Sequence, residues 1–571
     1  MQRRRARQCA TMAVLVTVGL ALAPAVPADP LAIVPALPPG TYPVGCSNVA
    51  QDFSRVQPGE TAGQYWDGFP SGNQERYVSQ LLVDPAAAME VALPIPNDTE
   101  LFVDRAGSAV TFDFLVCYPT TGTNPNPDYL LPTGSVVPHM QVGANPPIFA
   151  DAATRWPVLL FSHGLAGSPL DDAYLRVIGA LASYGYVVVA PFHGDPRFAD
   201  VQIQNIVDAI YAALHFPTYV EMQALRPLSG AAALDLLLSN PQYQDHVNVN
   251  QIAAFGASLG GETLLLQVGA RLTDSIGLSS KQVVVDTRIK AIFGYVPYFG
   301  QVIFPAFGRN QDGLAGITVP FMGMSGTADT TAPVGPALQG ILRLGGARYL
   351  VTLDGVTHHF DVPSTNAIFT WSVLFLDAYA LDDRAARVTV ARMTGVAGGG
   401  GKDRLILDYT SPAAPYLAGE SDVVEYFRDV TGHYFITANP AEVAVLDARG
   451  AWARTGFEFK AFALGSGLGV PACRFFSEPA LSPDTHFFTI NANECAVVKA
   501  SPLWLYEGLA FEAQPPLADG TCPLDRVPVF RLYNNGMGGQ PNHRFLTSKS
   551  YTLVMQLQGW VLEGTVFCAP P

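Results

Sequence analysis

Charge is scarce in this chain. Asp, Glu, Lys and Arg make up 14% of its 571 residues, against 49% apolar residues. That balance excludes a disordered, self-repelling polymer and fits a packed globular core. Basic residues are the scarcer sign, 33 against 48 acidic ones, for a net charge of −15. The basic footprint that a phosphate backbone requires is missing, so nucleic acid is excluded as a partner. Cysteines number only seven, with no C-x-x-C pair and no clustered His/Cys spacing, so no metal site is expected. Beyond the first 28 residues no apolar run is long enough to span a bilayer.

What is present begins with Arg3, Arg4, Arg5 and Arg7, an apolar run from Thr11 to Val26, and the small residues Val26-Pro27-Ala28. This is the pattern of a secretory signal over residues 1–28. Its loss takes four arginines and no acids and moves the net charge from −15 to −19. Cys9 leaves with it, and six cysteines remain. An even count in an exported chain points to disulfides, for which six cysteines allow 15 pairings. Cys46 and Cys117 are expected to pair, since no other cysteine lies near them, and Cys473, Cys495, Cys522 and Cys568 among themselves.

From Pro157 to about Leu381 apolar strands alternate with helical patterns, as in a doubly wound, mostly parallel α/β sheet. Gln251–Phe255 runs as a strand into Gly256-Ala257-Ser258-Leu259-Gly260, and a helix of small residues extends from there to Ala270. G-x-S-x-G between a strand and a helix is the context of a nucleophile elbow, in which glycines admit a sharp turn and leave the serine hydroxyl above the sheet. A serine hydroxyl needs a base, and the base an orienting acid. The strand Thr318–Met324 ends near Asp329, and the strand Arg348–Leu353 runs into Gly355-Val356-Thr357-His358-His359. Asp329 is therefore the candidate acid and His358 the candidate base, with His359 as alternative. The strand Pro157–Ser162 leads into His163-Gly164-Leu165, a loop able to turn amides toward a substrate oxygen. The N–H groups of Leu165 and Leu259 are the candidate oxyanion donors, each worth roughly 3 kcal/mol in a transition state. His163 reads as a loop-holding residue; His193 and Asp195, after the strand Tyr186–Pro191, read mainly as loop ties, with substrate contact as the alternative. Tyr295, Tyr298 and Phe299 read either as a pocket wall or as core.

At Phe161–Leu165, Gly256–Gly261 and Gly355–His358 the chain resembles the α/β-hydrolase superfamily. Within it, the chain is most similar to the branch of platelet-activating-factor acetylhydrolases and dienelactone hydrolases that includes bacterial polyester hydrolases. The resemblance covers roughly residues 40 to 390. It implies Ser258 as nucleophile, Asp329 as acid, His358 as base, the Leu165 and Leu259 amides as oxyanion donors, and no cofactor. Many members carry His or Trp before the nucleophile where this chain has Ala257, so no narrow substrate preference carries over.

Residues 29–415 are read as the hydrolase with an N-terminal extension, and Gly398–Gly401 as a flexible hinge after its core, with the alternative that the core extends through Leu405–Tyr409. Residues 416–571 contain a threefold repeat. Trp452, Trp504 and Trp560 each precede a glycine by four residues, and each glycine precedes a phenylalanine by three. His433, His486 and His543 precede the tryptophans by 19, 18 and 17 residues. Each copy reads as two strands, a helix and a final strand, and together they read as a small β-rich domain, for which a trefoil-like arrangement about a pseudo-threefold axis is one option. The tail resembles a repeat of secreted bacterial proteins. Its aromatics read mainly as core, with one exposed ring per copy able to grip a polymer or glycan. These observations point to a secreted serine esterase acting on a carboxylic ester, polymeric or lipid. The competing readings are an amidase or peptidase with the same residues, or a binding protein with a vestigial hydrolase.

Overall fold

The computed structural model describes residues 29–60, 65, 78–165, 167–194, 214–302, 304–411, 417–478, 485–537 and 541–571. The signal-like residues 1–28 and Asp195 lie outside the described residues.

A ten-stranded sheet organises the first part of the chain. Its strands in chain order are β1 (Val44–Cys46), β2 (Met89–Pro94), β3 (Ala109–Pro119), β4 (Trp156–Ser162), β5 (Val187–Pro191), β6 (Val247–Ala257), β7 (Ala291–Tyr295), β8 (Phe321–Gly326), β9 (Arg348–Leu353) and β10 (Asp403–Tyr409). The spatial order is β10-β9-β8-β7-β6-β4-β5-β3-β1, with β2 also on β3. The strands from β9 to β5 pair in parallel, whereas β10, β3, β2 and β1 pair antiparallel at the two ends. The sheet is therefore mixed. Strand β3 lies inside the sheet rather than at its edge, because β1 and β2 cover its far side.

Successive residues of a strand point to opposite faces. Leu159, Phe161, Val188, Phe255 and Val351 feed one buried cluster together with helices α1 (Asp172–Ser183) and α5 (Thr365–Ala380). Val158, Leu160, Val189, Ala254 and Leu350 feed another with α2 (Phe216–Ser239), α3 (Leu259–Gln267) and α4 (Val334–Ile341). Helices on both faces explain why the parallel strands read as unbroken apolar runs. The order of strands reverses at β4, with β5 on one side and β6 on the other, which is where open α/β sheets place their sites, beyond the carboxyl ends of the strands.

The glycine run does not act as a hinge after the core. Gly399 lies against Ala367 of α5, close enough that a Cβ there would meet the alanine Cβ at 2.8 Å. The run turns the chain from a short strand, Gly395–Ala397, into β10, the last strand of the main sheet.

After residue 417 the chain makes three runs of strand, strand, helix and strand. They are β11 (Glu420–Arg428), β12 (His433–Thr437), α7 (Pro440–Arg449) and β13 (Ala453–Phe462); β14 (Val470–Ser477), β15 (His486–Thr489), α8 (Ala492–Ala500) and β16 (Trp504–Ala513); and β17 (Val527–Tyr533), β18 (His543–Leu546), α9 (Lys549–Leu557) and β19 (Val561–Ala569). Each helix starts where Asn439, Asn491 or Ser548 accepts a backbone N–H of its first turn. The first two runs share a six-stranded sheet and the third forms its own three-stranded sheet, so the described residues form no trefoil barrel. Phe435, Phe459, Phe488, Phe511, Phe545 and Phe567, two from each run, make the common core, and the three tryptophans are only partly buried.

The tail is docked on the main sheet. Asp408 of β10 accepts from Ser548 Oγ at 2.8 Å and from the Lys549 and Ser550 amides at 2.9 Å, at the start of α9. Tyr409 stacks on Phe457 with ring centroids 4.1 Å apart. The fully buried Arg392 of α6 (Arg384–Arg392) bonds Asp29 and the carbonyls of Cys522, Pro523 and Arg526. Disulfides join Cys46 to Cys117, Cys473 to Cys495 and Cys522 to Cys568. Among the described residues no helix is long and apolar enough to cross a membrane.

Candidate active site

Strand β6 is buried from Ile252 to Ala257 and ends at Ser258, whose φ of 52° and ψ of −120° lie where side chains are strained. Such backbone costs of order 1–3 kcal/mol and persists only if neighbours enforce it. Here the Ser258 N–H donates to Tyr295 O at 2.9 Å, and Ser258 O accepts from Tyr298 N at 3.0 Å. The turn also demands glycine beside it. A Cβ on Gly260 would sit 1.9 Å from Ser162 O of β4, and one on Gly256 would sit 2.5 Å from the Gly260 carbonyl.

The hydroxyl this turn presents is 2.8 Å from His358 Nε2. His358 Nδ1 is 2.8 Å from Asp329 Oδ2. The Asp329 side chain is wholly buried and His358 is 24% exposed. The amides of Thr331 and Ala332 donate to Asp329 Oδ1 at 2.8 and 2.9 Å, which leaves Oδ2 for the imidazole. An ionised carboxylate only accepts. Nδ1 therefore carries the proton, and Nε2 offers its lone pair to the serine hydroxyl. The His359 side chain is exposed. The three candidate residues Ser258, Asp329 and His358 thus meet in one hydrogen-bonded chain, and His359 is not part of it.

The loop bearing His358 is held from below. The Tyr295 hydroxyl donates to His359 O at 3.0 Å and accepts from Asp361 N at 3.1 Å. Burial pushes this hydroxyl up to about 12, so it stays protonated. Tyr295 is thereby a loop anchor rather than a pocket wall. Phe299 is core, and Tyr298, half-buried, hydrogen-bonds Tyr219.

The loop after β4 lies against the serine. A Cβ on Gly164 would be 3.4 Å from Ser258 Cβ. Gly164 N donates to the Tyr174 hydroxyl at 3.2 Å. Leu165 is the next residue of this loop, and Leu259 opens α3, where first-turn amides have no intrahelical acceptor. His163 and His193 are buried beneath. His163 Nδ1 bonds Gly164 O at 2.8 Å, and His163 Nε2 accepts from His193 N at 3.2 Å. The His193 ring spans Ser162 Oγ at 2.8 Å and Ser229 Oγ at 2.7 Å. Burial, with Arg226 nearby, holds both imidazoles well below their ordinary range and keeps them neutral. Sequence reasoning misses Arg226, Glu262, Tyr174 and Thr263. The one signal that could find any of them is a lone charge in an apolar helix, Glu262 in α3; Arg226 shares α2 with Glu221 and Asp235 and does not stand out.

Residues 133–210 match the family model described as Platelet-activating factor acetylhydrolase, isoform II. Over this stretch the chain is similar to an ester hydrolase. The match takes in β4, the Leu165 loop, α1 and β5, and supports an α/β-hydrolase-like family and a hydrolase of the lipase or esterase type. Residues 422–570 match the model described as Domain of unknown function (DUF5648). No curated protein matches the chain.

Proposed function

We propose that this chain is a secreted serine hydrolase that cleaves carboxylic esters through an acyl-enzyme. The observation that carries the reading is the continuous chain from Ser258 Oγ to His358 Nε2 and from His358 Nδ1 to Asp329. Ser258 Oγ attacks the ester carbonyl while His358 Nε2 takes its proton. Asp329 fixes the tautomer and stabilises the imidazolium. The amides of Leu165 and Leu259 receive the oxyanion, where each donor contributes roughly 3 kcal/mol. The tetrahedral intermediate collapses as His358 returns the proton to the leaving alcohol. Water, deprotonated by the same imidazole, then releases the acid and restores Ser258.

The three disulfides are consistent with an oxidising compartment, which agrees with the signal-like residues 1–28. The tail is proposed to be one three-repeat domain that brings the hydrolase to a polymeric or aggregated ester. This is supported by the exposed Leu503, Leu505, Tyr506 and Leu509 in and beside β16, and by Leu553, Val554, Leu557, Val561 and Leu562 on α9 and β19. Substituting Ser258 with Ala is expected to abolish p-nitrophenyl ester turnover while the thermal midpoint stays within a few degrees. Persisting turnover in the variant contradicts the assignment. A panel of short esters, long esters and polyester films then fixes the substrate class.

A further inference from the structure

A fully buried guanidinium lies under the site. Arg226, in the middle of α2, is 0% exposed, on a helix whose neighbouring core positions are Val220, Ala224, Ala233 and Leu234. Burying such a charge is unfavourable unless its donors are well used. Nη2 donates to His163 O. Nε donates to Thr263 Oγ1 at 2.9 Å. Thr263 Oγ1 in turn donates to Leu259 O at 2.9 Å. One arm therefore grips the loop that carries the Leu165 amide, and the other grips, through Thr263, the residue that carries the Leu259 amide.

On the loop side the chain of bonds continues. His163 Nδ1–H donates to Gly164 O at 2.8 Å. Gly164 O and Leu165 N–H belong to one peptide unit, so a donor on the oxygen fixes that plane and strengthens the opposite N–H as a donor. His163 is itself held at its carbonyl by Arg226 and at Nε2 by His193 N.

We propose that Arg226 is a positioning residue for the oxyanion hole, a single guanidinium that sets the spacing between the Leu165 and Leu259 amides. The inference rests on Ser258 being the nucleophile of an ester hydrolase. It predicts that loss of Arg226 damages the tetrahedral state and spares ground-state binding, because substrate touches the amides and not the guanidinium.

The experiment uses the full chain as wild type, Arg226→Met, Arg226→Lys and Thr263→Val. It records kcat and KM for a p-nitrophenyl ester, the inhibition constant of an alkyl boronic acid that forms a tetrahedral serine adduct, and the thermal midpoint. Expected are a fall in kcat of about 10- to 100-fold for Arg226→Met and a smaller fall for Thr263→Val, within what one oxyanion donor is worth. Boronate affinity falls in parallel, KM stays within about threefold, and Arg226→Lys recovers part of the loss by supplying one of the two donors. If Arg226→Met does not fold, Thr263→Val and Arg226→Lys decide by the same readouts. Wild-type kcat and boronate affinity in the folded variants, or a loss confined to KM, overturn the inference while leaving the hydrolase reading intact. A wild-type protein that turns over no ester and takes no boronate overturns both.

Discussion

The Tyr295 hydroxyl donates to the carbonyl of His359 at 3.0 Å and so fixes the backbone one residue past the imidazole that reaches Ser258. Tyr295 ends β7, the strand next to the one that carries the serine, and its own carbonyl accepts the Ser258 amide at 2.9 Å. One residue therefore ties the elbow to the histidine loop. Replacing it with Phe keeps the ring and removes the donor. The His359 carbonyl and the Asp361 amide then lose their partner, at a cost of about 1–3 kcal/mol. Chemical denaturation is expected to show that loss, and kcat to fall about tenfold with little change in KM. Unchanged kcat would mean that the histidine loop is held without this bond.

Gly260 tests the elbow from the other side. A Cβ there meets Ser162 O at 1.9 Å, backbone that cannot swing aside. Gly260→Ala must push α3 away from β4, widening the gap between the Leu165 and Leu259 amides. Overpacking of this kind costs about 1–3 kcal/mol. Ester turnover is expected to drop by more than about 100-fold, near the loss of one oxyanion donor. A stable variant with wild-type kcat would contradict the close packing described.

The site's three candidate side chains are legible in the sequence because each lies past an apolar strand and before a helix, a local pattern that parallel topology turns into one crevice. The strand Arg348–Leu353 has the bounds expected of it. Strand β8 starts three residues later than expected, because Thr318 and Val319 are as β-prone as Phe321 and Met322. Arg226 is not legible, since its partners lie 63 and 37 residues away and only the packing of α2 on α3 brings them together. Gly398–Gly401 reads wrongly as a hinge for a related reason. Glycine marks both loose chain and tight turns, and only the contact of Gly399 with Ala367 separates the two. The tail's Trp and Phe spacing is visible, but which sheets the copies share is set by long-range pairing, such as Phe462 with Glu512.

Docking of the tail is tested at Asp408. Its buried carboxylate accepts from Ser548 Oγ and from the Lys549 and Ser550 amides at the start of α9, where the helix end favours negative charge. Asp408→Ala removes these charge-assisted bonds, with an expected destabilisation of about 3 kcal/mol. Limited proteolysis is expected to release residues after 411 faster than from the wild type. Turnover of a small soluble ester should change less than about twofold, because Asp408 lies outside the Ser258 site. Equal proteolysis of both proteins would show that the remaining contacts suffice.

Acid should weaken the tail. Burial, with Arg474 close by, pushes the His486 imidazole down to about 3, and His433 adds to it. Burial and Arg531 do the same to His543, also to about 3, against an opposing pull from Glu494. In the unfolded chain both histidines bind protons below about 6.5. The folded state therefore holds fewer protons between these limits, and its stability is full above pH 6.5 and lost as pH falls toward 3. Each histidine contributes a slope of about 1.4 kcal/mol per pH unit. Denaturation of the wild type and of His543→Asn at pH 7, 5 and 4 checks this. The variant is expected to lose stability less steeply, and parallel curves would contradict the account.

The central claim is that Ser258 becomes acylated. The most direct measurement is to mix the full chain with a p-nitrophenyl ester, quench within the first turnover, and map the modified peptide by mass spectrometry. The account predicts a burst of p-nitrophenol that approaches one equivalent if deacylation is the slower step, with the acyl group on Ser258 and none on the Ser258→Ala protein. Ester cleavage without an adduct on Ser258, or an adduct on another residue, contradicts it.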